Sequence, residues 1–253
     1  MNEFILETEG LTKDFQGFTA VRNVSLRLKR GTIHALIGPN GAGKTTVFNL
    51  LTKFLPPTAG RILHKGEDIT LSRAAAVARR GIVRSFQISA TFGRLTAREN
   101  VRVALQRRLG VSHQFWASER RLDQLNDRAD ELLATVGIPQ ASLTRAADLP
   151  YGSKRALEIA TTLALDPEVL LLDEPMSGLA HEDIGRISQL IKSLGGSRTI
   201  LMVEHNLPVV ADLSDIITVM RQGEVIAEGN YAEVSTNPMV MEAYLGGKDA
   251  AAH

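Results

Sequence analysis

The sequence predicts an α/β protein with a mostly parallel core sheet, an N-terminal antiparallel part and a helical insertion. Three observations carry that prediction. "VLLLD" (169–173) and "TILMV" (199–203) are apolar without alternation, as strands buried on both faces of a parallel sheet are. A glycine-rich loop, "GPNGAGKT", joins the strand-like "TIHALI" to the helical "TVFNLL". The stretch 96–150 has helical periodicity and lies between segments that read as strands.

In chain order, "FILETEGLTKDF" and "VRNVSLRLKRG" alternate in the manner of an antiparallel edge sheet. "KTTVFNLLTKFL" is expected as a helix stopped by "PPTAG", and "RILHKGEDI" returns to extended structure. "SRAAAVARRG" reads as a short helix capped by Ser72 and closed by Gly81. "IVRSF" is a strand. Thr96 and Glu99 have capping-box spacing, and Leu122, Leu125, Ala129, Leu132, Leu133 and Val136 share one helical face that Gly137 and Pro139 terminate. After "VLLLD" come helices near 181–194 and 207–213, the strand "IITVM", a hairpin turning at Gly223, and the terminal helix "NPMVMEAYL". The tail 246–253 is expected to be disordered. These boundaries give one unit over 4–245, with 4–95 and 151–245 as its core and 96–150 inserted.

Composition excludes several classes. Lys and Arg number 29 against 28 Asp and Glu, a formal net charge of +1, which supplies no global field for nucleic acid. The paired arginines (Arg79–Arg80, Arg107–Arg108, Arg120–Arg121) read as solvated helix faces. No cysteine is present, so disulfides and thiolate metal sites are excluded. No apolar run approaches the ~18 residues of a membrane span, and "MNEFILETEG" is acidic and unlike a signal peptide. The expectation is a cytoplasmic protein whose relation to any membrane passes through a partner.

The chemistry concentrates in three places. Gly38, Pro39, Asn40, Gly41, Ala42, Gly43, Lys44 and Thr45 match the phosphate-loop pattern G-x-x-x-x-G-K-[S/T], and Thr46 follows. Glycines there let successive backbone N–H groups face inward at a helix N-terminus, which stabilises a polyphosphate. Lys44 is expected on the β- and γ-phosphates and the Thr45 hydroxyl on Mg²⁺. "VLLLDEP" delivers Asp173 to the carboxyl edge of the sheet beside that Mg²⁺. Glu174 is placed to accept a proton from an attacking water. His205, past the next strand in "ILMVEHN", would reach the same rim, and so would Gln87 after "IVRSF".

The order of these motifs resembles the ATP-binding cassette of ABC transporters across about residues 4–245: Phe15, the phosphate loop, Gln87, "LPYGSKR" (149–155), "VLLLDEP", "SGLA" and His205. The resemblance implies an ABC-type P-loop ATPase with a RecA-like core sheet, hydrolysing ATP with Mg²⁺. It implies that Phe15 stacks on adenine and that Gln87 joins the Mg²⁺ and water site. Glu174 would be the general base with His205 its switch partner. Two cassettes would meet head to tail, each site completed by the opposite signature helix through Gly152 and Ser153. "GLTKDFQGFTAV", "RSFQ", "VEHNLPVV" and "NPMVMEAYLG" look more specifically like ATPases of branched-chain amino-acid importers. That level implies a second cassette, here a paralogue, two transmembrane permease subunits, and indirectly a periplasmic binding protein. It also places the chain on the inner face of a bacterial cell membrane. The alternatives are a lipid or lipopolysaccharide exporter ATPase and a soluble ABC ATPase. A kinase reading leaves Gln87, His205 and 149–155 without roles.

Two departures stand out against the family pattern. Ala180 ends "SGLA" where an acid or amide is usual, and in the signature Pro150 and Ser153 replace serine and glutamine. The helix is expected to begin near Ser153, whose hydroxyl would cap it or bind an anion, with Lys154 and Arg155 adding charge that favours phosphate.

Overall fold

The computed structural model describes residues 3–85, 91–108 and 124–245. Two sheets carry the molecule. The first is antiparallel: β1 (Phe4–Phe15) pairs with β2 (Phe18–Val24), β3 (Arg27–Lys29) and β5 (Ala59–His64), and β5 pairs with β6 (Glu67–Asp68). The second contains β4 (Ile33–Ile37), β7 (Ile82–Ser85), β8 (Val169–Asp173), β9 (Thr199–Val203), β10 (Ile216–Arg221) and β11 (Glu224–Gly229) in the order β11-β10-β4-β9-β8-β7. Its pairings are parallel except for the β10–β11 hairpin.

Strand alternation explains why the apolar runs are continuous. Leu170, Leu172, Ile200 and Met202 pack on one side of the sheet with the residues of the flanking helices. Val169, Leu171, Leu201 and Val203 pack on the other with β1–β3 and α1 (Lys44–Leu51). Every residue of β4, β8 and β9 is buried, so neither face tolerates polarity without a partner.

The helices fall close to their sequence positions: α2 (Ala74–Arg79), α3 (Ala97–Arg108), α4 (Asn126–Thr135), α5 (Tyr151–Leu163), α6 (His181–Leu194), α7 (Leu207–Leu213), α8 (Tyr231–Ser235) and α9 (Pro238–Leu245). The Thr96–Glu99 capping box is present: Thr96 N–H donates to Glu99 Oε2 at 2.7 Å and Glu99 N–H to Thr96 Oγ1 at 3.2 Å. Helix α4 buries Ala129, Leu132 and Leu133 as the periodicity requires; the earlier part of that predicted face, including Leu122, lies outside the described residues, as does the tail from 246.

Two local expectations are corrected. Helix α1 stops at Leu51 rather than running to Leu55, because Lys53 takes a left-handed conformation (φ 62°) and Thr52 Oγ1 donates back to Phe48 O. Ser72 does not cap α2: Arg73 is the N-cap residue, with no side-chain cap bond, and Ser72 N–H instead closes a turn onto Ile69 O. The sequence reading also passed over α8, although Asn230 and Glu233 form a reciprocal capping box there.

Candidate nucleotide site

The parallel sheet brings the candidate residues to one rim. Val203, at the end of β9, is the register partner of Asp173, at the end of β8, so His205 stands two residues beyond the same edge. Strand β4 pairs with β9 on one side and β10 on the other, and the phosphate loop leaves its carboxyl end. Ligands of open α/β sheets bind at this kind of edge.

The loop folds as a cradle. Gly38, Gly41 and Gly43 have φ values of 149°, 79° and 99°, a region that residues with a Cβ rarely occupy. A Cβ on Gly38 would stand 2.1 Å from Met220 O, and one on Gly43 2.5 Å from Ala20 O. At Gly41 the space beyond Cα is open. Asn40, Gly41 and Thr45 are exposed, Pro39, Gly43 and Thr46 half-buried, and Ala42 is packed below. Gly43 caps α1 in the left-handed conformation, so Lys44 is its first residue. Lys44 Nζ folds across the loop onto Gly38 O at 2.7 Å and Pro39 O at 3.0 Å. Partial burial lowers its pKa, opposed by the negative charges of Glu174 and Asp173, which places both acids within its field. An open glycine cradle with a lysine inside it fits a polyphosphate. The exposed Thr45 hydroxyl and the Asp173 carboxylate are hard oxygen donors of the kind Mg²⁺ takes alongside phosphate.

Asp173 is 2% exposed and ion-paired with Arg84 of β7. Glu174 has φ 44°, a strained value for a residue with a Cβ, and its N–H donates to Val203 O at 2.9 Å. Glu174 is only half-buried. The His205 imidazole is two-thirds exposed, and its recorded acidic neighbour is Glu204, 4.0 Å away. Phe15 ends β1 at 41% exposure with Lys13 Nζ 5.2 Å from its ring centroid. A core role for this phenylalanine is therefore excluded, and its face is accessible. Gln87 lies outside the described residues.

The signature segment differs from expectation. Helix α5 begins at Tyr151 with Pro150 as its N-cap residue, two residues before Ser153, and Ser153 makes no cap bond. Proline is no handicap there, since it lacks only an N–H and its carbonyl accepts from Lys154 N–H at 2.9 Å. Lys154 Nζ turns back to Ala147 O at 2.8 Å. Arg155 points inward: Nε donates to Pro175 O (3.1 Å), Nη2 to Asp173 O (2.9 Å) and Glu174 O (3.1 Å), and Nη1 pairs with Glu158 (2.8 Å). Neither cation faces a phosphate from this helix. Gly152 is buried beneath Asp183 of α6: a Cβ there would lie 2.2 Å from the Asp183 carboxyl carbon. Tyr151 Oη donates to Ser177 O at 3.2 Å, lying over Gly178. Ala180 is only the bare N-cap of α6, with no side-chain cap bond.

Sequence reasoning missed Glu204. It is fully buried, and its carboxylate accepts from the N–H groups of Met176 (3.0 Å), His205 (2.9 Å) and Asn206 (3.0 Å). It thereby ties the segment after Glu174 to the segment that carries His205. The available signal was an acid placed straight after a five-residue apolar strand, where a carboxylate must find donors.

Comparison with known proteins places this geometry. The ABC transporter family model matches residues 21–177, and the branched-chain amino acid ATP-binding cassette transporter model matches residues 224–250. The high-affinity branched-chain amino acid transport ATP-binding protein LivG of Escherichia coli is 39% identical over 253 residues, covering 97% of this chain and 99% of that one. BraF of Pseudomonas aeruginosa, which has the same description, is 39% identical over 256 residues with the same coverage. The crystal structure of the ADP conformation of MJ1267, an ATP-binding cassette of an ABC transporter, superposes with a TM-score of 0.83 at 29% identity, covering 96% of this chain and 99% of that one. With more than half its length matched by the family model and its fold shared with a solved cassette, this chain belongs to the ABC transporter family as an ATP-binding cassette.

Proposed function

We propose that this cassette hydrolyses ATP to power an importer of branched-chain amino acids or a related small amino acid or amide. The observation that carries the reading is its 39% identity with LivG and BraF along 97% of the chain. The C-terminal match at 224–250 adds to it. The lipid-exporter alternative has no comparable support.

In this reading the phosphate loop holds the ATP polyphosphate through backbone N–H groups, and Lys44 leaves the Gly38 and Pro39 carbonyls for the β- and γ-phosphate oxygens. Thr45, Asp173 and Gln87 would hold Mg²⁺, whose charge would offset that of the phosphates during transfer. Glu174 takes the proton of the attacking water, His205 contacts the γ-phosphate side, and Phe15 stacks on adenine. A second cassette, a paralogue, docks head to tail and presents its signature helix; this chain's Gly152 and Ser153 do the same for the partner's nucleotide. Residues 4–95 and 151–245 act as the catalytic core, with 96–150 as an inserted helical unit.

Two permease subunits complete the assembly, with a periplasmic binding protein beyond them. The cassette sits peripherally on the inner face of the membrane, and among the described residues no helix is long and apolar enough to cross it. A cleft of about 430 Å³ between α2, β7, α3 and α5, lined by Phe54, Val83, Phe92, Val103, Ala104 and Thr161, fits an apolar element of a permease.

Tagged protein purified from native membranes is expected to bring down two multi-span proteins and a second cassette, and deletion of its gene to abolish leucine-type uptake. Purification alone with ribosome-stimulated ATPase would overturn the reading, as would a lipid-export defect with intact uptake.

A further inference from the structure

Arg84 occupies a position that the phosphate chemistry described above does not use. It is the third residue of β7, and its register partner on β8 is Leu171, two residues before Asp173. Two residues of strand span about 6.6 Å, a distance an arginine side chain covers. Its guanidinium reaches along the neighbouring strand to Asp173 Oδ2, while Nη1 donates to Asn49 Oδ1 at 2.6 Å. The guanidinium carbon lies 5.6 Å from the Phe48 ring centroid. The side chains of Arg84 and Asp173 are 10% and 3% exposed. A fixed cation is thus anchored to the helix that follows the phosphate loop and to the strand that leads to Gln87. It shares the carboxylate assigned to Mg²⁺.

We propose that Arg84 is a positioning residue: the resident counter-cation of Asp173, which fixes the carboxylate by one oxygen and thereby weakens its hold on the incoming metal. The inference rests on the reading that Asp173 faces Mg²⁺. Burying a carboxylate this deeply is costly without a charged or hydrogen-bonding partner. Arg84 supplies one that is present before nucleotide arrives. A divalent ion that then joins the same carboxylate meets a second positive charge across it, and like charges in a poorly solvated site repel strongly. The metal at Asp173 is therefore held less tightly than an unshared carboxylate would hold it, and Mg·ADP leaves more readily after hydrolysis. The guanidinium fork is suited to the task because it engages Asn49 and Asp173 together; a lysine ammonium offers no such planar pair of donors.

The test is binding of a fluorescent ADP analogue to the purified cassette, titrated with Mg²⁺, in the parent and in Arg84→Gln, Arg84→Lys, Asp173→Asn and Arg84→Gln/Asp173→Asn. In Arg84→Gln the Mg²⁺ concentration for half-maximal enhancement is expected to fall at least threefold, with metal-free affinity for the analogue within twofold of the parent. Arg84→Lys shifts the midpoint in the same direction by less, and carries the test if Arg84→Gln does not accumulate folded. The double variant matches Asp173→Asn, because the effect acts through that carboxylate. A lowered melting temperature with an unmoved or raised Mg²⁺ midpoint in either Arg84 variant means a merely structural ion pair and overturns the proposal. If Asp173→Asn itself leaves the Mg²⁺ response unchanged, the assignment of Asp173 to the metal falls first and this inference falls with it.

Discussion

The carboxyl group of Asp183 lies over the Cα of Gly152, close enough that a Cβ on Gly152 would stand 2.2 Å from the Asp183 carboxyl carbon. Arg186 holds that carboxylate at 3.0 Å. In the proposed head-to-tail arrangement Gly152 would face the partner's nucleotide, and Asp183 would have to swing aside first. Asp183→Ala, in a Glu174→Gln background, is expected to raise the ATP-dependent dimer fraction on size-exclusion chromatography; an unchanged or smaller fraction would refute the masking. Pro150→Ser leaves turnover intact or raises it, since Pro150 already serves as N-cap.

Glu174→Gln removes the proposed base while keeping the shape of the left-handed turn. General bases contribute about 10²–10⁴-fold. ATP turnover of the assembled transporter is expected to fall at least a hundredfold while equilibrium ATP binding persists. Hydrolysis at the parent rate would take Glu174 out of that role.

Glu204→Gln replaces a buried carboxylate that accepts from three backbone N–H groups with an amide that has a single acceptor oxygen. Leaving buried donors unpaired costs about 1–3 kcal/mol, which in a chain of this size lowers the melting temperature by several degrees. Because the lost bonds join the segments carrying Glu174 and His205, kcat is expected to fall more than the affinity for ATP. Calorimetry and steady-state kinetics on the same preparation separate the two effects.

His34 supplies a pH prediction. It is fully buried in β4, and burial lowers its pKa to about 4 from 6.5. Thr218 donates to Glu228 Oε2 at 2.6 Å, so His34 Nε2 donates to Thr218 Oγ1 at 2.7 Å, and Nδ1 is left without a partner. Protonation would put an N–H there with no acceptor. The unfolded chain binds the proton more readily, so this stability is complete above pH 6.5 and is lost as pH falls toward 4. The full loss is about 3 kcal/mol. A His34→Gln variant is expected to show a flatter stability profile between pH 6.5 and 4 by denaturant titration; an unaltered slope would remove His34 as its source.

Much of this architecture is legible in the residues, for identifiable reasons. Gly38 and Gly43 are chosen by backbone geometry that few other residues satisfy, Lys44 by the charge it carries into the loop, and "VLLLD" and "TILMV" are buried on both faces, so composition alone marks them. The signature helix was harder to read. From spacing, Lys154 and Arg155 look like a cationic pair at a helix start, yet one turns to a local carbonyl and the other goes into the core. Which way a long side chain points depends on acceptors brought by β8, far away in sequence. The same limit hid Arg84, whose partners Asn49 and Asp173 lie on α1 and β8, and the Glu204 bond to Met176.

Arg155 has one more consequence. It grips the carbonyls of Asp173, Glu174 and Pro175 from the first turns of α5, the same end at which Gly152 and Ser153 are proposed to meet a partner's nucleotide. In that proposal, any force a partner's nucleotide exerted on α5 would be felt as a displacement of the backbone that carries Asp173 and Glu174, the proposed metal ligand and base. Two such cassettes would share a timing relation without an acid at position 180, each one's grip on its neighbour advancing or delaying its own cleavage step.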